Sequence, residues 1–197
     1  MRIRLSVFLL LLLSNLCFGQ GTVNFLNGPE TLISFGAPGQ ARLISDAPGS
    51  FYFGLFISSP GTRQFTFSGI YATNLGAAFP GQISGGNAIG VPGWPFTSAM
   101  SFFVAGWSSS LGHDWNQQWL NGKFGALGYF GISSVATGVS GGPDLPPWPP
   151  LPLFGGPTGI QTGFVLSPVP EPSVLSLEVA GALLLLARLY QRIGKQP

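Results

Sequence analysis

The chain has 197 residues, enough for one ordinary domain plus accessory segments. Only 7% of them are charged, against roughly 25% in a typical soluble domain. The pI near 9.0 suggests a basic protein, but Arg2, Arg4, Arg188, Arg192 and Lys195 all lie in the terminal segments. Between them, Arg42, Arg63 and Lys123 face Glu30, Asp46, Asp114 and Asp144, a net charge of about −1. That leaves no basic patch to neutralise phosphates, so nucleic acid is excluded as an expected partner.

Arg2 and Arg4 open the chain as a short cationic region, followed by an apolar run over 5–13 broken only by Ser6. Cys17-Phe18-Gly19 then places small residues at the two positions that a signal peptidase reads. Residues 1–19 are therefore expected to be a signal peptide cleaved after Gly19, with signal peptidase as a partner. A lipoprotein signal would acylate Cys17, but Asn15 and Leu16 stand where it needs small residues. An uncleaved membrane helix fails on length, since the run is too short for ~30 Å of hydrocarbon. Without the leader the chain keeps no cysteine, hence no disulfide and no thiolate-bound metal. Packing alone must hold the exported part, and roughly 150 residues suffice for that.

Residues 20–168 are rich in Gly, Phe and Ser, with β-forming runs between turn signals. Strands are expected at 22–27, 41–45, 51–58, 63–74, 82–91, 100–109, 126–139 and 160–167. Breakers separate them, among them Asn27-Gly28-Pro29, Ser59-Pro60-Gly61 and Pro92-Gly93. Such spacing without long helical patterns predicts an all-β fold, an antiparallel β-sandwich of jelly-roll-like form. Phe65 and Phe67 alternate with polar residues and so share one face of a strand. The runs at 51–57 and 102–105 are continuously apolar, the mark of strands covered on both sides.

One stretch departs from this pattern. In 114–122, Asp114 is the expected N-cap and Gly122 the C′ residue of one short helix over 114–121. Trp115 and Trp119, four apart, would share a face of it. Residues 141–157 carry seven prolines, which fix φ and withhold donors, so polyproline II or an ordered loop is expected there rather than a strand. A docking ligand for an aromatic-lined groove is the second reading of that segment.

Chemistry-bearing residues are sparse. His113 is the single histidine, so a catalytic triad would have to use it, and zinc would find one nitrogen ligand and no thiolate. No phosphate-binding glycine loop or calcium loop is present. No cofactor, no metal and no catalytic residue is therefore expected. A glycosidase could draw only on Glu30, Asp46, Asp114 and Asp144. The remaining constellation is aromatic: Trp94, Trp107, Trp115, Trp119 and Trp148, with Tyr129 and Phe130, beside polar groups such as His113, Asp114, Asn116 and Gln117. It reads as core packing, with a sugar-stacking platform as the alternative.

The tail is apolar from 174 to 187 apart from Ser176 and Glu178. Extended to 193 it gives about twenty residues, a membrane helix over 174–193 with Arg188 and Arg192 snorkelling to the headgroups and setting orientation. Basic residues favour the cytoplasm, so the domain would lie outside. Val169-Pro170-Glu171-Pro172-Ser173, the apolar run and the arginine cluster together resemble the PEP-CTERM sorting domain over 169–197. The resemblance implies a Gram-negative host that makes exopolysaccharide. It implies as partner an exosortase, a membrane transpeptidase that cuts near the motif Pro170, Glu171 and Pro172. It also implies delivery to the cell surface or extracellular matrix, with exopolysaccharide as a further partner. Residues 20–25 and 130–134 are similar to stretches in PEP-CTERM proteins of verrucomicrobial type, which adds no activity. Glu178 departs from the family pattern, since an acid near a helix centre costs ~2.5–3.5 kcal/mol, less toward its end.

The expected protein is an exported structural component of the surface or matrix, without catalysis. The first alternative is a glycan-binding module using Trp107, Trp115 and Trp119, and the second is a carboxylate-dependent glycoside hydrolase. A structural protein would bury the three tryptophans, whereas a lectin would expose at least two in one plane.

Overall fold

The computed structural model describes residues 19–142 and 148–169. The expected leader over 1–19, Cys17, Asp144, the sorting motif Pro170, Glu171 and Pro172, the helix over 174–193, Arg188 and Arg192 lie outside them, Gly19 of the leader excepted. The all-β expectation holds. Eleven strands form one hydrogen-bonded sheet: β1 (Gln20–Leu26), β2 (Ser34–Phe35), β3 (Arg42–Leu43), β4 (Phe51–Ser58), β5 (Thr66–Asn74), β6 (Ile83–Pro95), β7 (Ala99–Ser108), β8 (Tyr129–Ile132), β9 (Ala136–Val139), β10 (Leu151–Pro152) and β11 (Val165–Pro168). Their spatial order is β10-β1-β6-β5-β4-β7-β8-β11-β2-β3, with β9 beside β8 on the same flank of β7. The sheet is mixed rather than purely antiparallel, because β1 pairs β10 and β11 pairs β2 in parallel.

The centre of the sheet follows from its composition. Along β4, Phe51, Phe53, Leu55 and Ile57 enter the inner core, while Phe56 points to the opposite face and packs there with Tyr52. Along β7, Phe102 and Val104 point inward, and Phe103, Ala105 and Trp107 outward. A strand buried on both faces has no polar side to alternate with, which is why these runs are continuously apolar. Glycines make room for the rings: a Cβ on Gly106 would meet the Phe53 ring at 2.7 Å, and one on Gly54 would meet Phe67 at 2.9 Å and Trp107 at 3.2 Å.

The sheet curls until its far end returns to its middle. Phe35 of β2 packs on Phe51 of β4 with centroids 5.0 Å apart, although three strands separate them in the order. Gly81, in the β5–β6 connection, closes the curl. Its carbonyl accepts from Ile33 N–H at 2.9 Å, and its N–H donates to the Ile44 carbonyl at 2.8 Å. Its φ is +75°, and a Cβ would meet Leu32 and Leu43 at 3.0 Å, so glycine is required there twice over. The buried Asn27 amide locks the same seam. It donates to the carbonyls of Thr31 at 2.7 Å and Gly81 at 3.0 Å and accepts from Ile83 N–H at 2.8 Å. Asn74, the last residue of β5 and the register partner of Ile83, does the like beside it, accepting from Phe51 N–H and donating to the Asp46 and Ala47 carbonyls.

Several expectations are corrected. The strand expected over 126–139 is two, β8 and β9, because one extra residue bulges out between the Ala105↔Ile132 and Phe102↔Ala136 pairs. Pro92-Gly93 does not end β6. The register against β1 moves from Gln20↔Pro95 to Thr22↔Gly90, so the breaker is absorbed as a bulge with Gly93 at φ +78°. The proline-rich segment, expected to contain no strand, contributes β10. Its Pro152 needs no donor because the Leu153 N–H makes the bond to the Asn24 carbonyl, 3.1 Å, at the edge where proline is tolerated. The helix expected over 114–121 is a 3-10 turn over Gln117–Asn121. Asn116 rather than Asp114 caps it, accepting from Gln118 N–H at 2.9 Å, and Gly122 closes it at φ +69°.

Asn27→Ala should take away the side-chain partners of the Thr31 carbonyl and the Ile83 N–H and leave the Gly81 carbonyl with Ile33 alone. An unfolding free energy lower by ~2–4 kcal/mol is expected, read in urea as a lower midpoint at unchanged slope. The wild-type midpoint in the variant would overturn the locking role.

Candidate functional site: the aromatic face of the sheet

The outer face of β4, β5, β7 and β8 carries a continuous aromatic layer. Phe56 and Phe103 stack 2° from parallel at 4.8 Å. Phe67 lies 5.4 Å from Phe56 and 4.9 Å from Tyr71. Phe65 and Phe67 do share a face, as their alternation requires, and both join this layer.

The segment between β7 and β8 folds over it. Trp107 is fully buried and Trp119 is 4% exposed, while Trp115 is half-buried. The three indoles contact one another at 5.5–5.7 Å, with interplanar angles of 53°, 57° and 88°. They therefore present no pair of exposed, coplanar rings. Trp115 precedes the 3-10 turn, so its contact with Trp119 comes from the fold of the segment and not from helical periodicity. The polar atoms of the layer are spent internally. Trp107 Nε1–H donates to the Gly112 carbonyl at 3.0 Å, Trp115 Nε1–H to Gln117 Oε1 at 3.2 Å, and the Tyr71 hydroxyl accepts from Trp115 N–H at 3.3 Å. Rings packed on one another, with the Trp107 and Trp115 indole N–H groups bonded within the layer, are the arrangement of a packing layer.

His113 lies at the rim, its ring 4.7 Å from Tyr52 and 4.9 Å from Tyr71, with Nδ1 2.9 Å from the exposed Asp114 carboxylate. Among the described residues the carboxylates do not gather. Glu30 sits in the Pro29–Thr31 turn, Asp46 follows β3 and pairs with Arg42 at 3.5 Å, and Asp114 pairs with His113. Among the described residues no group of three His, Cys, Asp or Glu side chains could hold a metal ion, and no helix is long and apolar enough to cross a membrane.

A second feature of this face is a groove of about 440 Å³ lined by Gly61, Thr62, Arg63, Phe65, Ser101 and Val135. Sequence reading counted Arg63 only as one of three central cations. The groove is assembled from the β4–β5 turn, β7 and the bulge between β8 and β9, so no local pattern announces it.

Trp119→Ala should cost ~3–5 kcal/mol of stability, as for other buried aromatics. Trp115→Ala should cost less, since part of that ring already faces water. Equal losses by thermal unfolding would contradict the layering described here.

Comparison with protein-family models, with curated proteins and with solved structures found no match.

Proposed function

We propose that this is an exported, non-catalytic structural protein of the cell surface or extracellular matrix, delivered by two terminal addresses. The observation that carries the reading is the pair of terminal sequence patterns: a cationic and then apolar leader ending in Cys17-Phe18-Gly19, and Pro170-Glu171-Pro172 followed by an apolar run and arginines. In the sequence they stand on either side of the described β-rich body. The absence of cysteine from 20–197 fits a body held by an apolar core on each face of one sheet. The sandwich-like form belongs to the same proposal: the curl brings two halves of one sheet face to face, with the inner core between them.

In this reading signal peptidase removes residues 1–19. The run over 174–193 holds the precursor in the membrane, and Arg188 with Arg192 keeps its end inside. Glu171, a fixed charge between two stiff prolines, is what an exosortase would read. The buried indoles favour the structural reading over a tryptophan platform for glycans.

Protein recovered from the native host should begin at Gln20 and lack the tail beyond the motif in an intact mass spectrum. Glu171→Gln should leave an unprocessed, membrane-held precursor. A mature chain that still ends at Pro197 would reduce the tail to a plain anchor and end the sorting proposal.

A further inference from the structure

We infer that the groove at Arg63 is a binding site for an acidic saccharide, a sugar chain carrying carboxylates. The inference is independent of the export reading, because the groove lies wholly within the described sheet. Its volume of about 440 Å³ falls in the roughly 300–1,000 Å³ range of small-molecule clefts.

Its charge is unopposed. Of the three central cations, Arg42 is taken up by Asp46 at 3.5 Å and by the Phe35 ring at 4.3 Å. Arg63 makes no ion pair among the described residues and lines the groove with no acid beside it. A guanidinium presents a planar fork of donors that matches a carboxylate.

The floor is apolar and fixed. Phe65 is half-buried, packed 4.8 Å from Phe103, and its uncovered part lines the groove opposite Val135, which is 57% exposed. Such a surface suits the C–H face of a sugar ring. The walls carry hydroxyls held in place. Ser58 Oγ and Thr62 Oγ1 are 2.6 Å apart, with Thr62 Oγ1 also donating to the Ser59 carbonyl at 3.0 Å. Ser101 Oγ lies 3.0 Å from Thr137 Oγ1. The turn that places Arg63 is therefore organised before any ligand arrives, which lowers the ordering cost of binding. A neutral sugar offers the guanidinium hydroxyl acceptors but no charge-matched, bidentate partner. A fatty acid would leave the hydroxyls facing hydrocarbon.

The test is calorimetric titration of the full-length chain in detergent micelles with a galacturonate trimer, against a galactose trimer as the neutral control. Saturable binding of the acidic trimer is expected, at least about tenfold tighter than the neutral one and weakened by salt as an exposed charge contact must be. Arg63→Gln, an exposed change, should lower affinity at least tenfold with an unaltered circular dichroism spectrum. Val135→Glu, also exposed, should do the same by repelling the carboxylate. No saturable binding, or wild-type affinity in Arg63→Gln, would overturn the inference. So would acetate competing at the concentration of the trimer, since the site would then be a bare anion contact.

Discussion

The closure of the curled sheet rests on the backbone of one residue, Gly81. Its carbonyl receives two donors, from Ile33 and from the Asn27 amide, while its N–H reaches Ile44. These bonds join β2, β3 and the β5–β6 connection, which the ladder alone would leave far apart in the strand order. The inner core depends on that return. Phe35 meets Phe51 and Tyr129 only because the end of the sheet comes back over its middle. An amide in a water-free seam is stable only when all its groups are paired, and Asn27 uses both donors and one acceptor lone pair without a charged group.

The same economy appears on the other face. A sheet whose central strands are apolar on both sides must be covered twice. The inner cover is the curl, and the outer cover is the segment carrying Trp115, Trp119 and Phe124. Gly54 and Gly106 let rings lie against the backbone from opposite sides of neighbouring strands. Aromatic area thus supplies the burial on both faces of the sheet. The groove at Arg63 sits where this cover stops, with Phe65 as the last ring of the layer.

The sequence made the middle of the sheet legible and its ends obscure. The expected strand at 51–58 matches β4, because a long apolar run between Pro-Gly turns has few other outcomes. Ser34–Phe35 went unread because two residues become a strand only through their partners, β3 on one side and on the other β11, over a hundred positions away. In the proline-rich segment a period-2 signal was present: Leu151 and Leu153 are buried and Pro152 is exposed. The prolines hid it, since their cost in a strand vanishes at an edge. Asp114 and Asn116 are equally good caps by chemistry, and the choice fell to Asn116 once His113 engaged Asp114. The tryptophan cluster was visible as a cluster, but not its mutual burial. Arg63 could not be placed in a groove because its neighbours there come from segments some forty and seventy residues further along the chain.

The two ends of the strand order, β10 and β3, are only two residues long, and β10 carries a proline. Short edges of this kind offer another copy little template for intermolecular β-pairing. Most proteins guard such edges with lysines and glutamates, whose protection fades with salt and shifts with pH. Here Arg42 is the one charged residue on the two edge strands, and the guard is chiefly geometric. Resistance to fibrous self-assembly should accordingly vary little with acidity or ionic strength.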